Sequence, residues 1–91
     1  MARVLIKGTQ IAVPNTVGAG TSFSEATLVR LVNKATATDY VVTVQETAGG
    51  TTVGTFTILA NTSEMLEKNP TNIVFVNAGT DVLGAKVGYT N

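Results

Sequence analysis

The sequence predicts an all-β domain: a small antiparallel β-sandwich or barrel, Ig-like or jelly-roll-like, of seven to eight short strands. Threonine and valine alternate along much of the chain, and both are stiff at χ1 and pack well on pleated surfaces. Turn signals built from Gly, Pro, Asn and Asp recur about every eight to twelve residues, the spacing of a sandwich or small barrel. No long segment keeps a helical period.

In chain order, Val4-Leu5-Ile6 reads as a first strand ended by Gly8, and Ile11-Ala12-Val13 as a short second one. Pro14 has no N–H for a ladder and stops it. Residues 15–20 form a glycine-bearing connection, and Phe23 to Val32 reads as extended. The middle of the chain holds the clearest hairpin. Tyr40 to Glu46 runs into Gly49-Gly50, and Val53 to Leu59 returns, with both glycines suited to a primed turn. On the return, Phe56 and Ile58 alternate with Thr55 and Thr57, apolar side in and hydroxyl side out. Glu64 to Lys68 reads as a strand, with one turn of helix capped by Ser63 as the alternative. Ile73 to Val76 and Leu83 to Tyr89 complete the set.

The chain has 91 residues, enough for a single domain spanning 1–91. Residues 1–13 are expected to act as an N-terminal strand or an assembly arm. Lys7 interrupts the first apolar run, which is too short for a signal-peptide core or a membrane span. Synthesis in a cytoplasm without export is therefore expected. Charged residues make up 13% of the chain and the formal net charge is zero, so no basic footprint points to nucleic acid or an anionic membrane.

Histidine and cysteine are both absent. These side chains do most proton transfer near neutral pH, thiol chemistry and soft-metal binding. Ser22, Ser24 and Ser63 have no histidine to activate them and lie in no nucleophile elbow. Glu64 and Glu67 fall on opposite faces of a strand and cannot share a proton. Asp39 and Asp81 lie in loops without the dense carboxylate spacing of a calcium site. Gly18/Gly20 and Gly49/Gly50 precede no lysine-bearing helix, so they are turn residues and no phosphate cradle. Neither an enzyme nor a cofactor or metal protein is expected.

Apolar residues on the second face of a strand are more informative. Alternation places Val29 and Leu31 on one side, and Leu28, Arg30 and Val32 on the other, so both sides are mostly apolar. Ile73-Val74-Phe75-Val76 shows the same doubling. One reading is a strand covered on both faces by loops. The other is a face that docks against another protein, since large exposed apolar patches mark interfaces. On the second reading the contact residues are Leu28, Arg30, Val32, Val74 and Val76. Val4, Leu5 and Ile6 join them as an arm that adds itself to a neighbour's sheet.

Several runs carry a family likeness: Leu28-Val29-Arg30-Leu31-Val32-Asn33-Lys34, Tyr40-Val41-Val42-Thr43-Val44, Leu59-Ala60-Asn61-Thr62-Ser63-Glu64 and Glu67-Lys68-Asn69-Pro70-Thr71. Together with the closing Gly84-Ala85-Lys86-Val87-Gly88-Tyr89-Thr90, they resemble small Thr-rich β proteins of tailed bacteriophages, particularly marine phages of cyanobacteria. The resemblance implies a virion structural protein of the capsid decoration or cement type. Such a protein sits on the capsid exterior, binds the major capsid protein or copies of itself, and is homo-oligomeric or lattice-bound. A tail or neck subunit belongs to the same class. A different class is a carbohydrate-binding adhesion module that uses Tyr40, Tyr89 and the Asn/Asp loops.

Overall fold

The computed structural model describes residues 3–90, with side chains for residues 5–88. Eight strands follow in order: β1 (Arg3–Ile6), β2 (Ile11–Ala12), β3 (Leu28–Asn33), β4 (Tyr40–Gln45), β5 (Thr52–Ile58), β6 (Thr62–Glu67), β7 (Ile73–Val76) and β8 (Val82–Thr90). They form two antiparallel sheets, one in the order β1-β8-β3-β6 with β2 also on β8, the other in the order β5-β4-β7. The expected all-β sandwich is therefore present.

The pairing is nested. β1 pairs with β8, β3 with β6 and β4 with β5. The chain just after β2 lies along β7, where Thr21 bridges Val74 and the Val76 N–H donates to the Pro14 carbonyl at 2.8 Å. A long hairpin wrapped around a barrel axis has this order, which is the jelly-roll arrangement.

The core is the single layer between the sheets. Val29 and Leu31 of β3 meet Val42 and Val44 of β4, Ile58 of β5, Val74 and Val76 of β7, and Val82 of β8. Each full burial of such a side chain contributes about 1.5–3 kcal/mol of transfer free energy. The alternation expected of β3 holds, with Val29 and Leu31 buried and Arg30 exposed.

Two local expectations are corrected. The segment from Phe23 is not extended until Leu28. Phe23, Ser24 and Glu25 all take left-handed φ, between 53° and 56°. The turn is held by Ser22, whose carbonyl accepts from the Ala26 N–H at 3.1 Å and whose Oγ accepts from the Glu25 N–H at 3.2 Å. It buries the Phe23 ring over Gly84, where a Cβ would lie 2.7 Å from Phe23 Cζ. Side-chain to backbone bonds from Thr21 and Ser22 thus outcompete strand propensity. Residues 62–67 form the expected strand and not the alternative turn of helix, because β6 gains a full ladder with β3. The second correction is the central hairpin, which closes through a six-residue loop, Glu46 to Thr51, with Glu46 N–H donating to the Thr51 carbonyl at 2.8 Å. Gly49 takes positive φ (69°), and a primed two-residue turn is not formed.

One buried polar residue ties the layers together. Asn33, fully buried, donates from Nδ2 to the Thr38 carbonyl at 2.8 Å and to the Ile58 carbonyl of the other sheet at 3.2 Å. Its Oδ1 accepts from the Ala35 N–H at 3.0 Å. This amide fixes where β3 leaves its sheet and how the chain crosses to β4. Asn33→Ala would remove three hydrogen bonds, leaving the Thr38 carbonyl and the Ala35 N–H without this partner while the Ile58 carbonyl keeps its ladder bond to β4. The expected loss is about 2–4 kcal/mol in urea unfolding. A loss under about 1 kcal/mol would show that water replaces the amide without penalty.

Candidate interaction surfaces

The outer face of the β1-β8-β3-β6 sheet collects four of the eight residues that the sequence marks as contacts, Ile6, Leu28, Arg30 and Val32. Register places them in rows. Ala12 faces Leu83, which faces Val32 and then Ser63 across the sheet. Ala85 faces Arg30, which faces Met65. Ile6 faces Val87, and Leu28 faces Glu67. The surface is therefore apolar, with Arg30 near its middle and Glu67 at one side.

Two shallow depressions mark this face, and Val87 lines both. One, of about 460 Å³, is bounded by Ile6, Gln10, Arg30 and Ala85. The other, of about 430 Å³, is bounded by Lys7, Leu28, Met65 and Glu67. Ile6 is 76% exposed, a large cost for an isoleucine that has no cover in the isolated chain. β8 brings the first strand beside the third, so Ile6, Leu28, Arg30 and Val32 share one surface. Sequence reasoning missed Met65, Leu83, Ala85 and Val87 on it. The alternation of Leu83, Ala85 and Val87 with Gly84, Lys86 and Gly88 was the available signal. Strand adjacency, which the sequence does not give, makes them neighbours.

Other expected contacts fall elsewhere. Val74 and Val76 are 0% and 1% exposed and belong to the core, so they have no surface to offer a partner. All four residues of β7 are buried, and residues 14–21 run along its edge, where the Thr21 N–H donates to the Val74 carbonyl and the Val76 N–H to the Pro14 carbonyl. Gly20 passes so close that a Cβ there would sit 2.5 Å from the Val74 carbonyl oxygen. The arm is occupied as well, since β1 pairs with β8 of its own chain through Arg3↔Thr90 to Ile6↔Val87. Leu5 faces the side opposite Ile6 and is 46% exposed. The backbone of Val4 pairs with Tyr89, and the side chains of both lie outside the described residues.

A third concavity lies between β5 and β6. It measures about 640 Å³ and is lined by Val44, Gly54, Phe56, Leu66, Lys68 and Pro70 among others. Lys68 is buried, with Nζ donating to the carbonyls of Asn69 and Pro70, both at 3.3 Å. Burial holds this ammonium below the ordinary lysine pKa, and the charge of Lys86 acts in the same direction.

Tyr40 is no exposed platform for a sugar ring. It is buried, and its hydroxyl donates to Asp81 Oδ2 at 2.7 Å. That hydrogen bond, then burial, then the carboxylate charge, all raise the phenol above its ordinary pKa. Among the described residues no three acidic side chains are grouped to hold a metal ion. Among the same residues there is no helix long and apolar enough to cross a membrane. Comparison with family models, curated proteins and solved structures finds no match.

Because the folded state holds the Tyr40 proton more tightly than the unfolded chain, this contact stabilises below the unfolded phenol value of about 10. The contribution is lost as pH rises through the higher folded value. Tyr40→Phe is expected to be less stable than the parent at neutral pH, with the gap closing in alkali. Urea midpoints for both proteins between about pH 7 and 11 read the difference. A gap that stays constant would show that the Asp81 contact does not govern the titration.

Proposed function

We propose that this chain is a non-enzymatic assembly protein that docks through the outer face of the β1-β8-β3-β6 sheet onto another protein subunit. One observation carries the reading: the outer face of this sheet is apolar, with Ile6 76% exposed and Leu28, Val32, Met65, Leu83 and Ala85 half-buried, whereas all four residues of β7 are buried. Such a surface is the usual mark of a protein interface. The resemblance to small phage β proteins supplies the setting, a virion, with the capsid exterior and the major capsid protein as site and partner. Zero net charge suits that setting, because neutral copies crowd without long-range repulsion. The buried Tyr40 weighs against the adhesion-module alternative.

The test uses Leu28→Asp and Arg30→Glu, which alter the face without touching the core. Both variants are expected to stay folded by far-UV circular dichroism. Co-sedimentation with heads of the parent phage should fall at least about tenfold, the effect of removing a central interface residue. Val41→Asp, on the other sheet, should bind as the parent does. Parental occupancy by both face variants would overturn the proposal. Binding to isolated tails in place of heads would move the site within the virion and keep the class.

A further inference from the structure

The fold presents several strand edges, and they are not treated alike. The β7 edge is closed by residues 14–21, which supply the partners of Val74 and Val76. The β1/β2 edge is broken, because four residues, 7–10, stand opposite two on β8 between the Ile6↔Val87 and Ile11↔Gly84 pairs. The β6 edge carries Glu64 and Glu67, charges of the kind that keep edges from pairing. β5 has no such guard. From Thr47 to Ser63 the sequence contains no charged residue.

The ladder shows which β5 groups are free. Val41 of β4 faces β7, since Asn77 N–H donates to its carbonyl at 3.2 Å and its own N–H donates to Asn77 Oδ1 at 2.9 Å. By alternation, Tyr40, Val42 and Val44 face β5 and bond Ile58, Phe56 and Gly54. The N–H and C=O groups of Thr55 and Thr57 therefore point away from the sheet. A bulge opposite Val44/Gln45 ends the regular ladder on the other side of Gly54. The open stretch is Gly54 to Ile58.

We infer that β5 pairs antiparallel with β5 of a second copy about a two-fold axis at Phe56. In that register Thr55 lies opposite Thr57 of the second copy and Thr57 opposite its Thr55. All four outward donors and acceptors on each side are then used, in four main-chain hydrogen bonds. Thr–Thr pairs are favourable cross-strand neighbours. The two Phe56 rings become a directly opposed pair on the inner side, where each lines the 640 Å³ concavity and is only partly buried. The second copy's ring closes the side of that concavity left open beyond Gly54, whose missing side chain leaves empty space. Self-pairing is the occupant favoured because one neutral segment complements itself, and no like charges oppose. The contact is independent of the docking face on the other sheet.

Sedimentation velocity and light scattering of the purified chain test this. At about 100 μM a small specific contact of this kind should give a species of twice the 9.4 kDa chain mass. Thr55→Pro removes an outward N–H that β4 does not use, and proline is tolerated on edges. It should return the mass to that of one chain while the unfolding midpoint stays the same. Leu28→Asp should leave the dimer intact, so failure of the docking face and failure of this contact are separately visible. The parent chain has no cysteine. A mixture of Thr55→Cys and Thr57→Cys proteins should therefore form a disulfide-linked heterodimer at least fivefold faster than either protein alone. A parent that stays at one chain mass, a Thr55→Pro protein that stays dimeric, or a mixture with no preference for the heterodimer would overturn the inference.

Discussion

A two-layer sandwich of this length has one interior, and this chain carries more apolar strand positions than that interior holds. The inner positions of β3, β4, β7 and β8 fill it with branched side chains of nearly uniform size. The surplus has to go to outer faces, and the chain deals with it in two ways. It buries all four residues of β7 and runs residues 14–21 along that strand's edge. Over β8 and β3 it spends nothing, so Ile6, Leu28, Val32 and Leu83 face outward. An uncovered face of this kind costs solubility in a free monomer and is tolerated where a partner shields it.

The buried strand explains why periodicity misjudged part of the site. Ile73-Val74-Phe75-Val76 and Leu28-Val29-Arg30-Leu31-Val32 look alike as sequences, each apolar on both sides. They differ in what the rest of the chain lays against them. That difference rests on Gly20, which lets the backbone of residues 14–21 reach the edge of β7, and on Pro14, whose carbonyl takes the Val76 N–H. Nothing in the four residues of β7 announces it. The strands themselves were legible, since Thr/Val alternation and the Asn/Pro/Gly turns mark all eight. The left-handed turn at Phe23 to Glu25 was not, because it depends on which backbone groups Thr21 and Ser22 reach. Asn33 sat at the end of an apolar run with no sign that it would be the buried amide joining both layers.

The candidate site was legible by residue and illegible by neighbour. Leu28, Arg30 and Val32 follow from alternation alone. That Ile6 stands on the same surface, with Val87 between β1 and β3, follows from the nested pairing in which the last strand is inserted beside the first and third. Local patterns fix which way a side chain points. Long-range pairing decides what it points alongside, and in this fold almost every pairing joins residues far apart in sequence.

The two proposed contacts lie on different sheets and ask for different chemistry. The outer face of the β1-β8-β3-β6 sheet offers apolar area and one cation. The β5 edge offers main-chain groups and an aromatic ring. Neither is large, and a stable isolated pair usually needs about 1,200–2,000 Å² of total buried surface. Joined in one molecule they do not need to be large. Once a copy is held by its face beside a sister copy on a common surface, closing the β5 edge is an intramolecular step at high effective concentration. A contact that pairs free copies at about 100 μM then multiplies, on that surface, into a stable layer. A neutral, rigid, all-β body suits such assembly, because it needs little ordering on binding and meets no charge barrier as neighbours close in.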